Sequence, residues 1–156
     1  MNRAGPFSAR FTHDQAATVT WSGLHGSSRA LALWSAASGA DRVTLVVTRS
    51  SHQAHGLHRD LELLAPGPLD LKLFPDHETL PYDPFSPHPD IVAARLKTLS
   101  ELSAMQRGIV LCPVDSLLQR LPPAEYILAR SFALAAGDRL DPAAFRQRLA
   151  HAGYEA

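Results

Sequence analysis

The stretch VTLVV, residues 43–47, is a short, continuous run of β-branched and other apolar residues. Such a run is typical of a parallel strand that is buried on both faces of a sheet. Two further strand-like stretches follow, the alternating LDLKLF (69–74) and the continuous GIVLC (108–112), and helical periodicity separates the three. This alternation predicts an α/β fold, in which a parallel sheet carries helices on both faces.

Apolar residues at helical spacing predict the helices around these strands. The three stripes are Ala30/Leu33/Trp34/Ala37, Ala54/Leu57/Leu61/Leu64 and Val92/Leu96/Leu99/Leu102. Gly39 is expected to end the first helix, and Asp90 to cap the third. A further strand, ATVTW (17–21), is predicted before the first helix, and a short helix within VDSLLQRL (114–121).

A domain boundary is predicted next, because the two prolines of LPPAEY (121–126) interrupt the alternation of strands and helices. Beyond it, residues 131–140 are predicted to form a strand and a turn. Asp141 is predicted to cap a helix over 142–152, which Gly153 would end. One strand and one helix cannot enclose a core, so we expect the chain to be a fragment of a longer protein.

Composition narrows the possible functions. The 156 residues contain 15 Lys and Arg and 15 Asp and Glu, so the formal net charge is zero, which disfavours direct DNA binding by this segment. Cys112 is the single cysteine, which excludes an internal disulfide and a Cys-rich zinc site and suits a reducing cytosol. No signal peptide and no apolar stretch of membrane-spanning length occurs, so we expect a cytoplasmic protein without membrane contact.

The stretch GLHGSSRA (23–30) follows a predicted strand and opens the first helix. A phosphate-binding P-loop, G-x-x-x-x-G-K-[ST], occupies the same setting, with a Lys for the phosphates and a hydroxyl for Mg²⁺. Gly23 holds the first position, but Ser28, Arg29 and Ala30 replace the Gly, Lys and Ser/Thr. Because Ala30 offers no Mg²⁺ ligand, we expect no ATP hydrolysis. The residues alone leave open a nucleotide site, a weak anion site and an ordinary strand–helix turn.

Three histidines, His52, His55 and His58, recur every third residue on the predicted second helix. Histidine is the commonest protein metal ligand. However, no cysteine or carboxylate pattern completes a coordination shell. We therefore expect a solvated helix face and no metal site.

Residues 73–90, LFPDHETLPYDPFSPHPD, contain five prolines, which predict a stiff, ordered loop. The sequence DHETLPYDPFSPHPDIVAARLKTL (76–99), together with MQRGIVLCPVDSLLQRLPP (105–123), resembles the N-terminal region of the bacterial transcription-repair coupling factors. The resemblance covers residues 40–156, and its patterns are ETLPYD.FSPH.DI...RL.TL and, after the next strand, P.....QR..P. The family-signature loop consists of Leu80, Pro81, Tyr82, Asp83, Phe85, Ser86, Pro87 and His88.

That N-terminal region is in turn similar to the excision-repair helicase subunit UvrB, whose P-loop reads G-V-T-G-S-G-K-T. Gly23, Gly26 and Ser27 match that pattern, whereas Ser28, Arg29 and Ala30 depart from it. The resemblance therefore implies that the P-loop remnant has decayed in a module that kept its fold and lost its ATPase activity.

The resemblance also implies the role of the whole protein, which displaces RNA polymerase stalled at a DNA lesion and recruits nucleotide-excision repair through UvrA. It implies an ATP- and Mg²⁺-dependent motor that contacts DNA and lies outside this chain. The implied domains are an N-terminal extension (1–15), a UvrB-like α/β subdomain (16–122) and the start of a UvrA-binding subdomain (123–156). The UvrA-binding residues are expected beyond Ala156, so this fragment is expected to bind UvrA poorly.

The sequence thus favours a non-catalytic interaction module without a cofactor of its own. The alternative is a nucleotide-binding domain with an atypical P-loop, and the residue at position 30 discriminates between the two. The role of the N-terminal extension and the oligomeric state are left open.

Overall fold

A computed structural model describes residues 18–64, 69–79, 84–131 and 134–152. The helices are α1 (Ser28–Ser38), α2 (Ser51–Leu64), α3 (Pro89–Leu102), α4 (Val114–Leu117), α5 (Ala124–Arg130) and α6 (Pro142–His151), and the strands are β1 (Val43–Thr48), β2 (Leu71–Leu73) and β3 (Gly108–Pro113). The chain divides between Leu121 and Pro122 into two compact units. Their identification as a UvrB-like and a UvrA-binding subdomain stays a prediction.

The three strands form a parallel sheet in the order β1-β3-β2. Val43 of β1 lies opposite Gly108, and Leu71 of β2 lies opposite Ile109. All six residues of the central strand β3 are buried, as its continuous apolar run predicts. The predicted α/β fold with a parallel sheet is confirmed.

One face of the sheet packs against α1 and α2. Ala30 and Ala37 of α1 and Leu61 of α2 join Ile109 and Leu111 of β3 in the buried core. These helical residues belong to the predicted apolar stripes. Gly39 follows the last residue of α1 as its C-cap, as predicted.

The opposite face packs against α3. The Lys72 side chain points away from the core face that Leu71 and Leu73 share, because successive side chains of a strand alternate. Its Nζ lies 2.7 Å from Oε2 of Glu101, near the end of α3. Helices therefore lie on both sides of the sheet, although Leu45 and Val47 of β1 are about half exposed on the α3 side.

The predicted third helix is confirmed as α3, and Leu99 and Leu102 of its apolar stripe are half-buried, but its predicted cap and the rest of the stripe are wrong. Its buried residues are Arg95 and Thr98, whereas Val92 and Leu96 are exposed. The buried face is shifted because polar side chains of α3 bond to the backbone that follows β2. The cap is also different: Nδ1 of His88 accepts a hydrogen bond from the Asp90 amide, and the helix begins at Pro89, whose fixed φ suits a first turn.

The strand predicted at 17–21 is absent from the part of it that the structure describes, since residues 18–21 have no regular secondary structure. The short helix predicted within 114–121 is confirmed, but it spans only Val114–Leu117. Ala17 lies outside the described residues, as do the N-terminal extension and the positions Leu80, Pro81, Tyr82 and Asp83 of the signature loop.

The second unit contains α5 and α6. The helix after Asp141 is confirmed: Oδ1 of Asp141 accepts hydrogen bonds from the amides of Ala143 and Ala144. The sequence did not predict α5. The strand predicted within 131–140 is absent from the described residues of that range, although the turn is present, where the Ala135 amide donates to Oδ2 of Asp138. Gly153 lies outside the described residues.

None of the described helices combines the length and the hydrophobicity that crossing a bilayer requires.

Candidate functional site

A buried arginine of α3, Arg95, extends its side chain toward the backbone that follows the carboxyl end of β2. Arg95 is 4% exposed, and its guanidinium stacks on the Phe74 ring at 4.2 Å from the ring centroid. Nη1 of Arg95 donates hydrogen bonds to the Pro75 carbonyl and, at 3.4 Å, to Oγ of Ser116. Arg95 therefore ties α3 to the backbone after β2 and to α4.

Ser116 and Asp76 extend this contact network. The Ser116 hydroxyl lies 3.3 Å from the Pro75 carbonyl oxygen and 3.4 Å from Oδ1 of Asp76. The same carboxylate oxygen accepts hydrogen bonds from the His77 amide at 2.8 Å and from Nε2 of Gln119 at 3.3 Å. We call Phe74, Pro75, Asp76, Arg95, Ser116 and Gln119 the arginine cluster.

Burial in and around the arginine cluster shifts the pKa values of Arg95, His77 and Cys112. Desolvation lowers the pKa of Arg95, and the nearby Asp76 carboxylate opposes that shift. The pKa of His77 is lowered by burial and then by the Arg95 charge. Burial raises the pKa of the Cys112 thiol despite the Arg95 charge, so this thiol is protonated at neutral pH, as befits an unreactive core residue.

Some residues of the arginine cluster, and the neighbouring Thr98, belong to the family signature. Arg95 and Thr98 belong to its RL.TL part, and Gln119 belongs to the QR pattern after β3. The Thr98 hydroxyl donates to the Ala94 carbonyl at 2.9 Å and lies 3.4 Å from the Leu73 carbonyl. The cluster fixes residues 74–76, which precede the signature loop in the chain, against α3 and α4, so its role is structural.

The described part of the signature loop is largely exposed. The Phe85 side chain is 76% exposed, and Ser86 is exposed as well. Pro87 is half-buried, and His88 caps α3. A loop clamped at its base that presents an aromatic side chain suits the recognition of another protein surface.

Residues 23–30, which the sequence predicts to be a P-loop remnant, form a glycine turn that leads into α1. Gly23 and Gly26 have φ values of 72° and 54°, which favour glycine. The Ser28 amide donates to the His25 carbonyl at 3.2 Å, and its hydroxyl donates to the same oxygen at 2.7 Å. Ala30, which the predicted P-loop pattern places where a Mg²⁺ ligand would stand, is fully buried in the core.

The other candidate site residues are Ser27 and Arg29 of the same turn and the three histidines of α2. Ser27 occupies the N-cap position of α1 without a side-chain capping bond, and Arg29 is exposed. His52 and His55 are exposed, whereas Nδ1 of His58 lies 3.3 Å from Oε2 of Glu62. Within the described ranges, no three His, Cys, Asp or Glu side chains are arranged to hold a metal ion.

Comparison with known proteins identifies relatives of this chain, although no protein-family model matches it. It is 41% identical over 127 residues to a transcription-repair-coupling factor of Haemophilus influenzae, covering 81% of this chain and 11% of that protein. It is 47% identical over 79 residues to the Escherichia coli factor, covering 51% of this chain and 7% of that protein. The Bacillus subtilis factor is 27% identical over 133 residues, 85% of this chain and 11% of that protein. The matched segment thus spans about a tenth of these relatives.

Proposed function

Because this chain belongs to the transcription-repair-coupling factor family, we propose that it serves as a non-catalytic module of such a factor. The longer protein displaces RNA polymerase stalled at DNA lesions and recruits nucleotide-excision repair through UvrA. ATP, Mg²⁺ and DNA are bound by motor domains outside this chain, in the cytoplasm.

The observation that carries this proposal is the burial of Ala30. In a P-loop the equivalent hydroxyl faces a bound Mg²⁺. Here the methyl group of Ala30 is 0% exposed and packs in the core with Ile109 and Leu111. The Ser28 amide, which would turn toward a phosphate, is engaged by the His25 carbonyl. Both features support a glycine turn that has lost the chemistry of hydrolysis.

We expect the purified chain not to hydrolyse ATP, because the alanine at position 30 has no oxygen atom in its side chain with which to bind Mg²⁺. The measurement is phosphate release with and without Mg²⁺, with the full-length protein as the positive control. Mg²⁺-dependent turnover by the 156-residue chain that disappears in the Arg29→Ala variant would show that the remnant is a working, atypical P-loop.

We also expect this chain to bind UvrA at least about tenfold more weakly than a chain extended by about 60–100 residues, the length that completes a small domain. No residue of α6 is buried, although Asp141 caps it well. A binding surface on such an element has an ordering cost before any contact forms.

The comparison titrates both chains against purified UvrA and uses circular dichroism to verify that each is folded. Equal affinities would place the recognition surface within residues 1–156 and would contradict the proposed assignment of 123–156 as an incomplete UvrA-binding subdomain.

A further inference from the structure

The arginine cluster extends to the last residues of the first unit. Ser116 of α4 and Gln119, which follows α4, both contact Oδ1 of Asp76. The first unit ends at Leu121, shortly after Gln119. We call residues 120–123 the linker, because they lead from α4 toward α5 of the second unit. One carboxylate oxygen therefore joins the segment that precedes the signature loop to the segment that precedes the linker.

Polar contacts hold the end of α4 in place. The helix has only four residues, and Leu117 and Leu118 at its end are 49% and 79% exposed. Residues 120–123 of the linker are exposed as well. Ser116, in contrast, is 0% exposed and lies within the arginine cluster. The path of the chain after α4 thus depends on hydrogen bonds more than on apolar packing, and the Gln119 contact is the one nearest to the linker.

The two ends of the Gln119 amide have opposite effects on its inward position. Its Nε2 donates to the Asp76 carboxylate at 3.3 Å, a charge-assisted hydrogen bond. Its Oε1 is buried, and no donor from the described part of the chain reaches that atom. A buried acceptor without a partner costs free energy of about the size that a hydrogen bond to a charged group contributes. The inward position is therefore favoured only slightly over one in which the amide rotates into solvent.

Asp76 also supports a strained turn on its other side. The same Oδ1 accepts a hydrogen bond from the His77 amide at 2.8 Å. The next residue, Glu78, has a φ of 59°, a left-handed conformation that residues other than glycine adopt at a cost. Strained backbone persists only where its surroundings hold it. The turn before the signature loop therefore loses one of its supports when Gln119 rotates away from Asp76.

We propose that Gln119 is a latch that couples the linker to the turn at residues 76–79. In the inward position it bonds to Asp76 and holds both segments, and in the outward position it frees both together. Because the two positions are close in free energy, a binding event that favours one state of the linker shifts the turn as well, and the reverse also holds. The latch lies within the first unit and does not depend on ATP hydrolysis or on UvrA.

The test measures amide hydrogen exchange in the 156-residue chain by nuclear magnetic resonance. The His77 amide reports the turn, and the Leu118 amide, which donates to the Val114 carbonyl, reports the end of α4. The Ile109 amide, which donates to the Asp70 carbonyl in the sheet, reports unfolding of the whole unit. Gln119→Met keeps the side-chain length but cannot bond to Asp76. It is expected to speed exchange of the His77 and Leu118 amides at least about fivefold and to leave Ile109 unchanged.

A swapped pair separates the latch from simple packing. Gln119→Glu places a second carboxylate against Asp76, and it is expected to speed exchange of the two reporter amides about tenfold at neutral pH. Combining it with Asp76→Asn exchanges donor and acceptor across the contact, since asparagine can donate to the new carboxylate. The double variant is expected to return both rates to within about threefold of the parent. Gln106→Glu, at an exposed glutamine of the same unit, is the matched control and is expected to change neither rate.

Three outcomes would overturn the proposal. The first is faster exchange at Leu118 with no change at His77 in Gln119→Met, because the two segments would then move independently. The second is a double variant that exchanges as fast as Gln119→Glu alone. The third is an equal increase at Ile109, which would make Gln119 a contributor to the stability of the whole unit and not a latch. A working ATPase would contradict the proposed function and would leave these expectations in place.

Discussion

Replacing Gly108 by alanine is expected to destabilise the first unit by about 3–5 kcal/mol. Gly108 begins the central strand β3 with a φ of 141°, a conformation that residues with a Cβ rarely adopt. A Cβ there would also collide with the Asp70 carbonyl oxygen and with Cε of Met105. The Met105 side chain can move, but the Asp70 oxygen accepts the Ile109 amide at 2.8 Å and is part of the β2–β3 pairing.

Chemical denaturation of the parent and variant chains measures this loss. Gly23→Ala is the matched control, because Gly23 also has a positive φ, 72°, but a Cβ there meets nothing within 4 Å. It is expected to cost about 1–2 kcal/mol, the price of a left-handed conformation alone. If the two variants lose equal stability, the close approach of Asp70 is not what requires glycine at position 108.

Arg95→Met is expected to destabilise the first unit by about 2–4 kcal/mol, because it removes the buried guanidinium that donates to the Pro75 carbonyl and to the Ser116 hydroxyl. Methionine keeps a similar length and can still pack on Phe74. The loss therefore reports mainly the hydrogen bonds and the charge beside Asp76. The melting temperature is expected to fall by about 5–12 °C.

Two variants control this experiment. Arg120→Met removes an exposed arginine from the same family signature and is expected to change stability by less than about 0.5 kcal/mol. Arg95→Lys keeps the charge but loses the planar donor group, so it is expected to restore little of the lost stability. Near-parental melting of Arg95→Met would mean that the arginine cluster does not hold the base of the signature loop.

Local patterns were sufficient to predict the sheet. The stretches 43–47, 69–74 and 108–112 each contain a parallel strand, because both continuous β-branched or apolar residues and the alternation of LDLKLF favour a strand. Helix ends with strong local chemistry were equally predictable. Asp141 caps α6 with its own side chain, and this contact depends only on residues two and three positions away.

The candidate site was only partly predictable. The family resemblance marked Arg95 and Gln119 as members of a signature, but it did not indicate that both contact the segment after β2. Apolar spacing predicted that α3 would bury Val92 and Leu96, whereas the helix buries Arg95 and Thr98. A polar side chain on a helix is assigned to solvent unless its partners are known, and those partners lie 20 or more positions away along the chain.

The sequence by itself determined the fold class and the three strands, because each depends on the chemistry of a few neighbouring residues. Only the tertiary structure decided that β1 lies at an edge of the sheet formed by the described residues, that Gly56 opens onto a groove and that Arg95 is buried. These properties depend on strand order and on contacts between distant segments. Composition shows that a strand is apolar on both faces, but only the assembled sheet shows which of its sides is still uncovered.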